Sequence, residues 1–440
     1  KKFKIKVIAD ISCDIEGLIP CTLKSTTIES PFYDYNASKN EIHKEFESDK
    51  NVTIMAIDNL PSELPVDASK FAGMSAEQAA TFPRRTVEGE HLSEDQLATM
   101  PRMISTDSHV MEPDELWEEL PERLQANLPK VPFRNSPPGA LSADLRLQDQ
   151  NNDGIAAEVI FPNYGMALYC VDDVETQEES FKLYNDWLHD WTSADHKRLI
   201  GVPLISVYDI PGAIKEMRRC HDKGMRGSLI WQVPDPALPF SNTEHYDPLI
   251  AACAEADEPV ICHILTGHGY IKNGHTRSVE GIKESTNIKT HDSANTLFDF
   301  IFYGYFERHP NLKLLLAESE IGWIPFLLQQ WDYYFERHRN SYPVPITRKP
   351  SEIFAEHVYG TFLEDYVGTR FLDWWGEKNC MWSNDYPHFN MTFPHSRQVM
   401  SRHLKGLGED KIRRYTWDNA LSLFKLELTE EDRIGHALHS

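Results

Sequence analysis

No apolar stretch in this 440-residue chain approaches the roughly 18 residues a membrane-spanning helix needs, so no such span is expected. The opening, KKFKIKVIADISC, is basic, but Lys4, Lys6 and Asp10 interrupt any apolar signal core. Positive charge is scarce: 44 Lys and Arg stand against 68 Asp and Glu, a formal net charge of -24. Such a surface repels phosphate backbones and excludes nucleic acid as the expected partner. A small anionic substrate stays open, because a bound metal or a few arginines invert the local field. The seven cysteines, at 13, 21, 170, 220, 253, 262 and 380, are odd in number and form no CxxC pair. They read as reduced thiols in a cytoplasm. No G-x-G-x-x-G follows a strand-like run, so the phosphate-binding half of a dinucleotide site is missing, and neither nicotinamide nor dehydrogenase activity is expected. What is present, 41% apolar and 11% aromatic residues, suffices for the core of a globular protein with two domains, or one large barrel plus an appendage.

Residues 1–72 read as strand, turn and strand: FKIKVIADIS is one apolar-rich run, TTIESPFYDYNASKN is turn-rich, and NVTIMAIDNLPSELP is a second run stopped by Pro61 and Pro65. Two strands alone bury too little surface for a stable domain. The stretch ADISCDIEGLIPCTLKSTTIESPFYDYN, with AIDNLPSELPVDAS after it, resembles a fragment of the lysine-ketoglutarate reductase and saccharopine dehydrogenase family. The full domain of that family is a nicotinamide-binding α/β fold, of which this chain carries about 70 residues. Residues 73–103, including MSAEQAATFPRRTVEGEHLSEDQLATMPR, form a polar linker or arm, and Met74 offers a second start, so the chain reads as a fusion. Phe82 and Leu97 make the arm adhesive, and a homodimer with arms reaching across is expected.

From residue 104 the rhythm changes. Strand-like runs recur at 104–110, 155–162, 199–205, 226–233, 259–265, 312–317, 357–362 and 379–385. Helical spacing lies between them, as in Leu116, Leu120 and Leu124, or Phe181, Tyr184, Trp187 and Trp191. Eight strands alternating with helices predict an α/β fold, a distorted (β/α)8 TIM barrel over 104–425, with a small α/β appendage before it and a tail at 426–440. A doubly wound sheet is the alternative. The aromatic helix SFKLYNDWLHDW is read as barrel packing.

Catalytic groups of such barrels sit where strands end. Those ends carry Asp107 and His109, then His263, Glu318 and Asp385. Residues two apart on a strand share a face, so D-x-H aims both side chains of the first run into the mouth. Two imidazoles and two carboxylates suit zinc, manganese or iron. Each residue also has a plain structural reading: Asp107 as a helix cap, His109 and His263 as interior histidines, Asp385 as a turn aspartate, Glu318 as an ion-pair or helix-start carboxylate, and Glu112 as the start of helix ELWEEL.

The segments TDSHVMEPDELW, CHILTGHG, LLAESEIGWIPFLL and MWSNDYPHFNMTFPHS resemble the amidohydrolase superfamily, in the amidohydrolase family 2 branch related to aminocarboxymuconate-semialdehyde decarboxylase. The resemblance implies a distorted (β/α)8 barrel with Asp107, His109, His263 and Asp385 as metal ligands. The first strand departs from the family pattern, D-x-H for H-x-H or E-x-H, and Glu318 replaces the usual sixth-strand histidine. The fourth strand, SLIWQV, has no lysine to carbamylate, which favours one ion, with Glu112 and Glu318 as holders of a second if there is one. The implied activity is hydrolysis of a small organic substrate, Asp385 serving as base and Glu318 or His388 returning a proton. The alternatives are a non-oxidative decarboxylase or hydratase, and an inactive barrel that serves as a binding module. His268, His388 and His395 are mouth-loop candidates for substrate contact.

Overall fold

The computed structural model describes residues 7–9, 32–36, 39, 41–43, 52–55, 92–131, 136–268, 279–371 and 375–435. The chain divides into two compact units, Lys1–Val66 with Pro83–Glu90, and Asp67–Phe82 with His91–Ser440. Met74 and Phe82 lie outside the described residues.

In the first unit, β1 (Val7–Ala9), β2 (Phe32–Asn36), β3 (Glu41–His43) and β4 (Val52–Met55) form one sheet in the order β1-β4-β2-β3. β1 and β4 run parallel, and β2 runs antiparallel to both β4 and β3. The stretch read as turn-rich therefore contains a strand. Its aromatic FYDYN core pairs with β4, and the buried Asp34 accepts from Thr53 Oγ1 at 2.7 Å. Flanking Ser, Pro and Asn residues hid that run, while its polar Asp34 is satisfied across the sheet.

The second unit carries β5 (Met103–His109), β6 (Ile155–Phe161), β7 (Leu199–Gly201), β8 (Ser228–Ile230), β9 (Val260–His263), β10 (Leu314–Ala317), β11 (Val358–Phe362) and β12 (Cys380–Trp382). All neighbours are parallel, in two arcs, β5-β6-β7 and β8-β9-β10-β11-β12. A bridge between Leu204 and Leu229 joins the arcs on one side. On the other, no ladder runs between β12 and β5 among the described residues. There the seam is crossed by Asp385 N donating to Asp107 O at 3.0 Å and His109 N donating to Tyr386 O at 2.6 Å. The fold is an α/β, distorted (β/α)8 barrel, each strand falling on one of the eight apolar runs, with β5 starting one residue early at Met103.

Helices at 143–153, 174–192, 210–222, 243–256, 279–302, 324–338 and 350–357 alternate with the strands. Asp173 caps the second of these through Thr176 N, and Phe181, Tyr184 and Leu188 bury its inner face, as barrel packing requires. Helix 143–153 stops at Gly154, whose φ of 75° favours glycine and whose missing side chain leaves room for the Arg397 guanidinium. β5, β6 and β10 are buried along their length, as parallel strands covered by helices must be.

The described part of the arm folds back onto its own barrel. Ser93 and Gln96 cap the helix Glu94–Thr99 reciprocally, Leu92 N donates to Gln398 Oε1 at 2.8 Å, and Arg397 Nη1 donates to Leu97 O at 2.9 Å. The tail is tied in as well, through Arg102 N to Arg433 O at 2.7 Å. No helix among the described residues is long and apolar enough to cross a membrane.

Candidate metal centre

Asp107 and His109 occupy the C-terminal end of β5, both wholly buried. The register between β5 and β6 slips between Ser105 and Ser108, one extra residue on β5, the kind of bulge that re-aims side chains at a barrel rim. Asp107 Oδ1 lies 3.3 Å from Nε2 of His109 and 3.3 Å from Nε2 of His263, which ends β9. Asp385, in the loop after β12, brings Oδ1 to 3.4 Å from His109 Nε2. Glu318, just past β10, places Oε2 3.9 Å from His263 Nε2. Glu318 and Asp385 both sit in the left-handed region, at φ 53° and 50°, where a non-glycine residue is held by its surroundings.

The two ligand-type histidines are oriented alike. His109 Nδ1 lies 2.8 Å from Pro162 O, and His263 Nδ1 lies 2.8 Å from Ile264 O. A carbonyl only accepts, so each Nδ1 carries the proton and each Nε2 turns a lone pair inward. Asp107 Oδ2, His109 Nε2 and Asp385 Oδ2 are buried without a hydrogen-bonded protein partner. Lone pairs converging in a dry pocket repel unless a cation lies among them, so the residues present fit a divalent ion. Without an ion, a proton on His109 takes the place of that cation between the two carboxylates. Burial opposes charge on His109, yet Asp107 and Asp385 raise it to about 10; burial opposes ionisation of Asp107, yet His263 and His109 hold it at about 2. Asp385 is likewise held low against burial, chiefly by His388. Two groups of ligand atoms gather within 4.8 Å of one another: Asp107, His109, His263 and Glu318, and His109, Glu318, Asp385 and His388.

His388 joins this centre directly. Its Nδ1 is 2.8 Å from Asp385 Oδ1, its Nε2 is 3.0 Å from Asn163 Oδ1, and its ring lies 4.0 Å from that of His109. Asn163 is absent from the residues singled out in the sequence; it stands two positions beyond β6, and a search of strand ends extended by two residues finds it.

Three predicted residues stand apart. Glu112 belongs to neither ligand group, because its carboxylate accepts from the backbone N–H of Asn163 at 3.2 Å, Tyr164 at 2.9 Å and Gly165 at 2.9 Å. Its carboxylate thus lies at the start of helix Tyr164–Ala167, and Pro113, which makes no side-chain cap bond, holds the N-cap position of the helix at 114–117. His268 groups with Asp172 and Asp235, its Nδ1 3.4 Å from Asp172 Oδ1. His395 precedes the helix Ser396–His403.

The sequence pattern of the family described as Amidohydrolase matches residues 135–426. The chain belongs to the amidohydrolase family. This amidohydrolase is similar in structure to an amidohydrolase from Mycobacterium avium subsp. paratuberculosis, with a TM-score of 0.61 and 21% identity over 73% of this chain and 98% of that one. A dihydroxybenzoic acid decarboxylase from Polaromonas, whose structure holds manganese and 2-nitroresorcinol, gives a TM-score of 0.55 at 19% identity over 78% of this chain and 100% of that one. In sequence, the 2-amino-3-carboxymuconate-6-semialdehyde decarboxylase of Dictyostelium discoideum is 23% identical over 265 residues, 58% of this chain and 69% of that protein. A further partial match, 40% identical over 70 residues, is to the mitochondrial alpha-aminoadipic semialdehyde synthase of Rattus norvegicus. The chain spans only 8% of that protein's length. Both resemblances drawn from the sequence are therefore upheld. The chain is an enzyme of the hydrolase or decarboxylase kind with a candidate site for a divalent metal.

Proposed function

We propose that this enzyme hydrolyses a small, neutral organic molecule, an amide, ester, thioester or activated C–C bond, with Asp107, His109, His263 and Asp385 as metal ligands. The observation that carries the reading is the state of Asp385: Oδ1 is engaged by His388, while the buried Oδ2 has no protein hydrogen bond. A divalent ion in this pocket supplies Lewis-acid polarisation of a carbonyl and acidifies water. Asp385 takes a proton from the attacking water at Oδ2, and His388, braced by Asn163, keeps that carboxylate aimed. Glu318, buried beside His263 and grouped with Asp385, relays that proton from Asp385 to the leaving group. Two buried carboxylates among four ligands offset the charge of a divalent ion, which favours a neutral carbonyl over a carboxylate substrate. By this reading the barrel from Met74 onward is sufficient for the chemistry, and residues 1–72 add nothing to it.

A second reading, non-oxidative decarboxylation of an aromatic or muconate-type acid, is favoured by the Polaromonas and Dictyostelium relatives. Asp385 then takes a proton from the substrate's own acidic hydroxyl or carboxyl group and passes it to the carbon that loses carbon dioxide. A panel of esters, amides, thioesters, hydroxybenzoates and muconates separates the two. Hydrolysis of a neutral member without gas release supports the first, and carbon dioxide release from an acid overturns it in favour of the second.

A further inference from the structure

Among the described residues β12 and β5 share no ladder, yet these two strand ends carry three of the four proposed ligands, Asp107, His109 and Asp385. We propose that the buried Arg146–Glu158 ion pair, acting through Asn384 and Ser105, is a positioning assembly that fixes the spacing of those ligands across the open seam. The proposal rests on the metal-centre reading above and not on which reaction follows.

Arg146, on helix 143–153, and Glu158, within β6, are both buried, with Arg146 Nη1 to Glu158 Oε2 at 3.0 Å. Neither side chain reaches the ligand cluster. Arg146 instead grips the backbone of a ligand residue, and Glu158 grips the side chain of a ligand's neighbour. Arg146 Nη2 donates to the carbonyl of His109, and its guanidinium lies 4.2 Å over the ring of Tyr386, the residue after Asp385. Glu158 Oε1 accepts from Asn384 Nδ2 at 3.0 Å, on the residue before Asp385.

A carboxylate only accepts, so Asn384 must turn its NH2 to Glu158 and its oxygen the other way. That oxygen meets Ser105 Oγ at 2.8 Å, and Asn384 N donates to the same Oγ at 2.9 Å. Ser105 lies on β5, two residues before Asp107, whose carbonyl is 2.9 Å from its hydroxyl. The ion pair thus fixes the amide, the amide fixes Ser105, and these paired hydrogen bonds reinforce the two backbone bonds, Asp385 N to Asp107 O and His109 N to Tyr386 O, that cross the same seam. The close packing behind this assembly leaves no space at Gly139, where a methyl would overlap Asp149 and the Tyr386 hydroxyl. A lone buried ion pair is a weak source of stability, but one that dictates hydrogen-bond direction is a source of specificity.

The test is manganese affinity of the full chain, measured by chelator competition without any substrate. Asn384→Ala leaves the Arg146–Glu158 pair intact and is expected to weaken manganese binding 10- to 100-fold. Ser105→Ala, a smaller change that keeps the fold if the first variant loses it, is expected to weaken binding about tenfold. Asn379→Ala is the control for lost stability alone. It is equally buried and bonded, to Phe354 O and Val358 O, but at the far end of β12. It should melt lower and bind manganese as the parent does. If Ser105→Ala binds like the parent, or if Asn379→Ala loses as much affinity as Asn384→Ala, the assembly is merely structural and the proposal is wrong. Parent protein that takes up no divalent ion overturns the metal-centre reading itself, whereas a failed substrate panel leaves these affinities untouched.

Discussion

The Nδ1 of His388 lies 2.8 Å from Oδ1 of Asp385, three residues away in the loop after β12, so one oxygen of the proposed base is fixed and the other is left for chemistry. Asp385→Asn removes that base, and kcat should fall by about 10² to 10⁴. His388→Gln removes only the brace and should cost roughly tenfold to 100-fold. Steady-state kinetics with metal content measured alongside distinguishes the two; equal losses for both variants contradict the division of labour.

Glu318 lies 3.9 Å from His263, farther from it than Asp107 at 3.3 Å. If it returns a proton to the leaving group, Glu318→Gln keeps its metal and loses about 10²-fold or more in kcat. The loss should shrink on substrates with good leaving groups that need no proton. A variant that instead loses its metal would make Glu318 a ligand.

The candidate ligand cluster was legible because hard ligand types at the ends of apolar runs, such as Asp107, His263 and Asp385, are conspicuous. The supporting residues were not. Glu158 sits inside the apolar run IAAEVIF, where one polar residue reads as an interruption, and its partners Arg146 and Asn384 are 12 and 226 residues away. Glu112 was visible as a polar residue near the ligands, but the helix it serves begins 52 residues later at Tyr164. The bulge in β5 has no glycine or proline to announce it, and β2 hid among turn formers. Strand number and order follow local periodicity, whereas hydrogen-bond partners are chosen by tertiary contact.

Asp153 gives the fold a pH dependence away from the metal centre. Burial raises its carboxyl to about 7, against hydrogen bonds from Ser396 that act the other way. Because the folded value lies above the unfolded one, the contribution of the neutral carboxyl is complete below about pH 4 and is lost as pH rises through 7. Asp153→Asn keeps a neutral partner for Ser396 at every pH. Urea unfolding should show the parent losing stability relative to this variant by roughly 1.4 kcal/mol per pH unit between pH 5 and 7. A difference that is constant with pH would contradict the raised value.

The central claim is that four buried side chains from β5, β9 and the loop after β12 hold one divalent ion. Elemental analysis of the full chain, purified without chelators, tests it most directly, beside His109→Ala and His263→Ala variants shown to be folded. The account predicts about one equivalent of zinc, manganese or iron in the parent and a small fraction of that in each variant. Parent protein that is free of metal yet fully active, or variants that retain the parent's full equivalent, would contradict it.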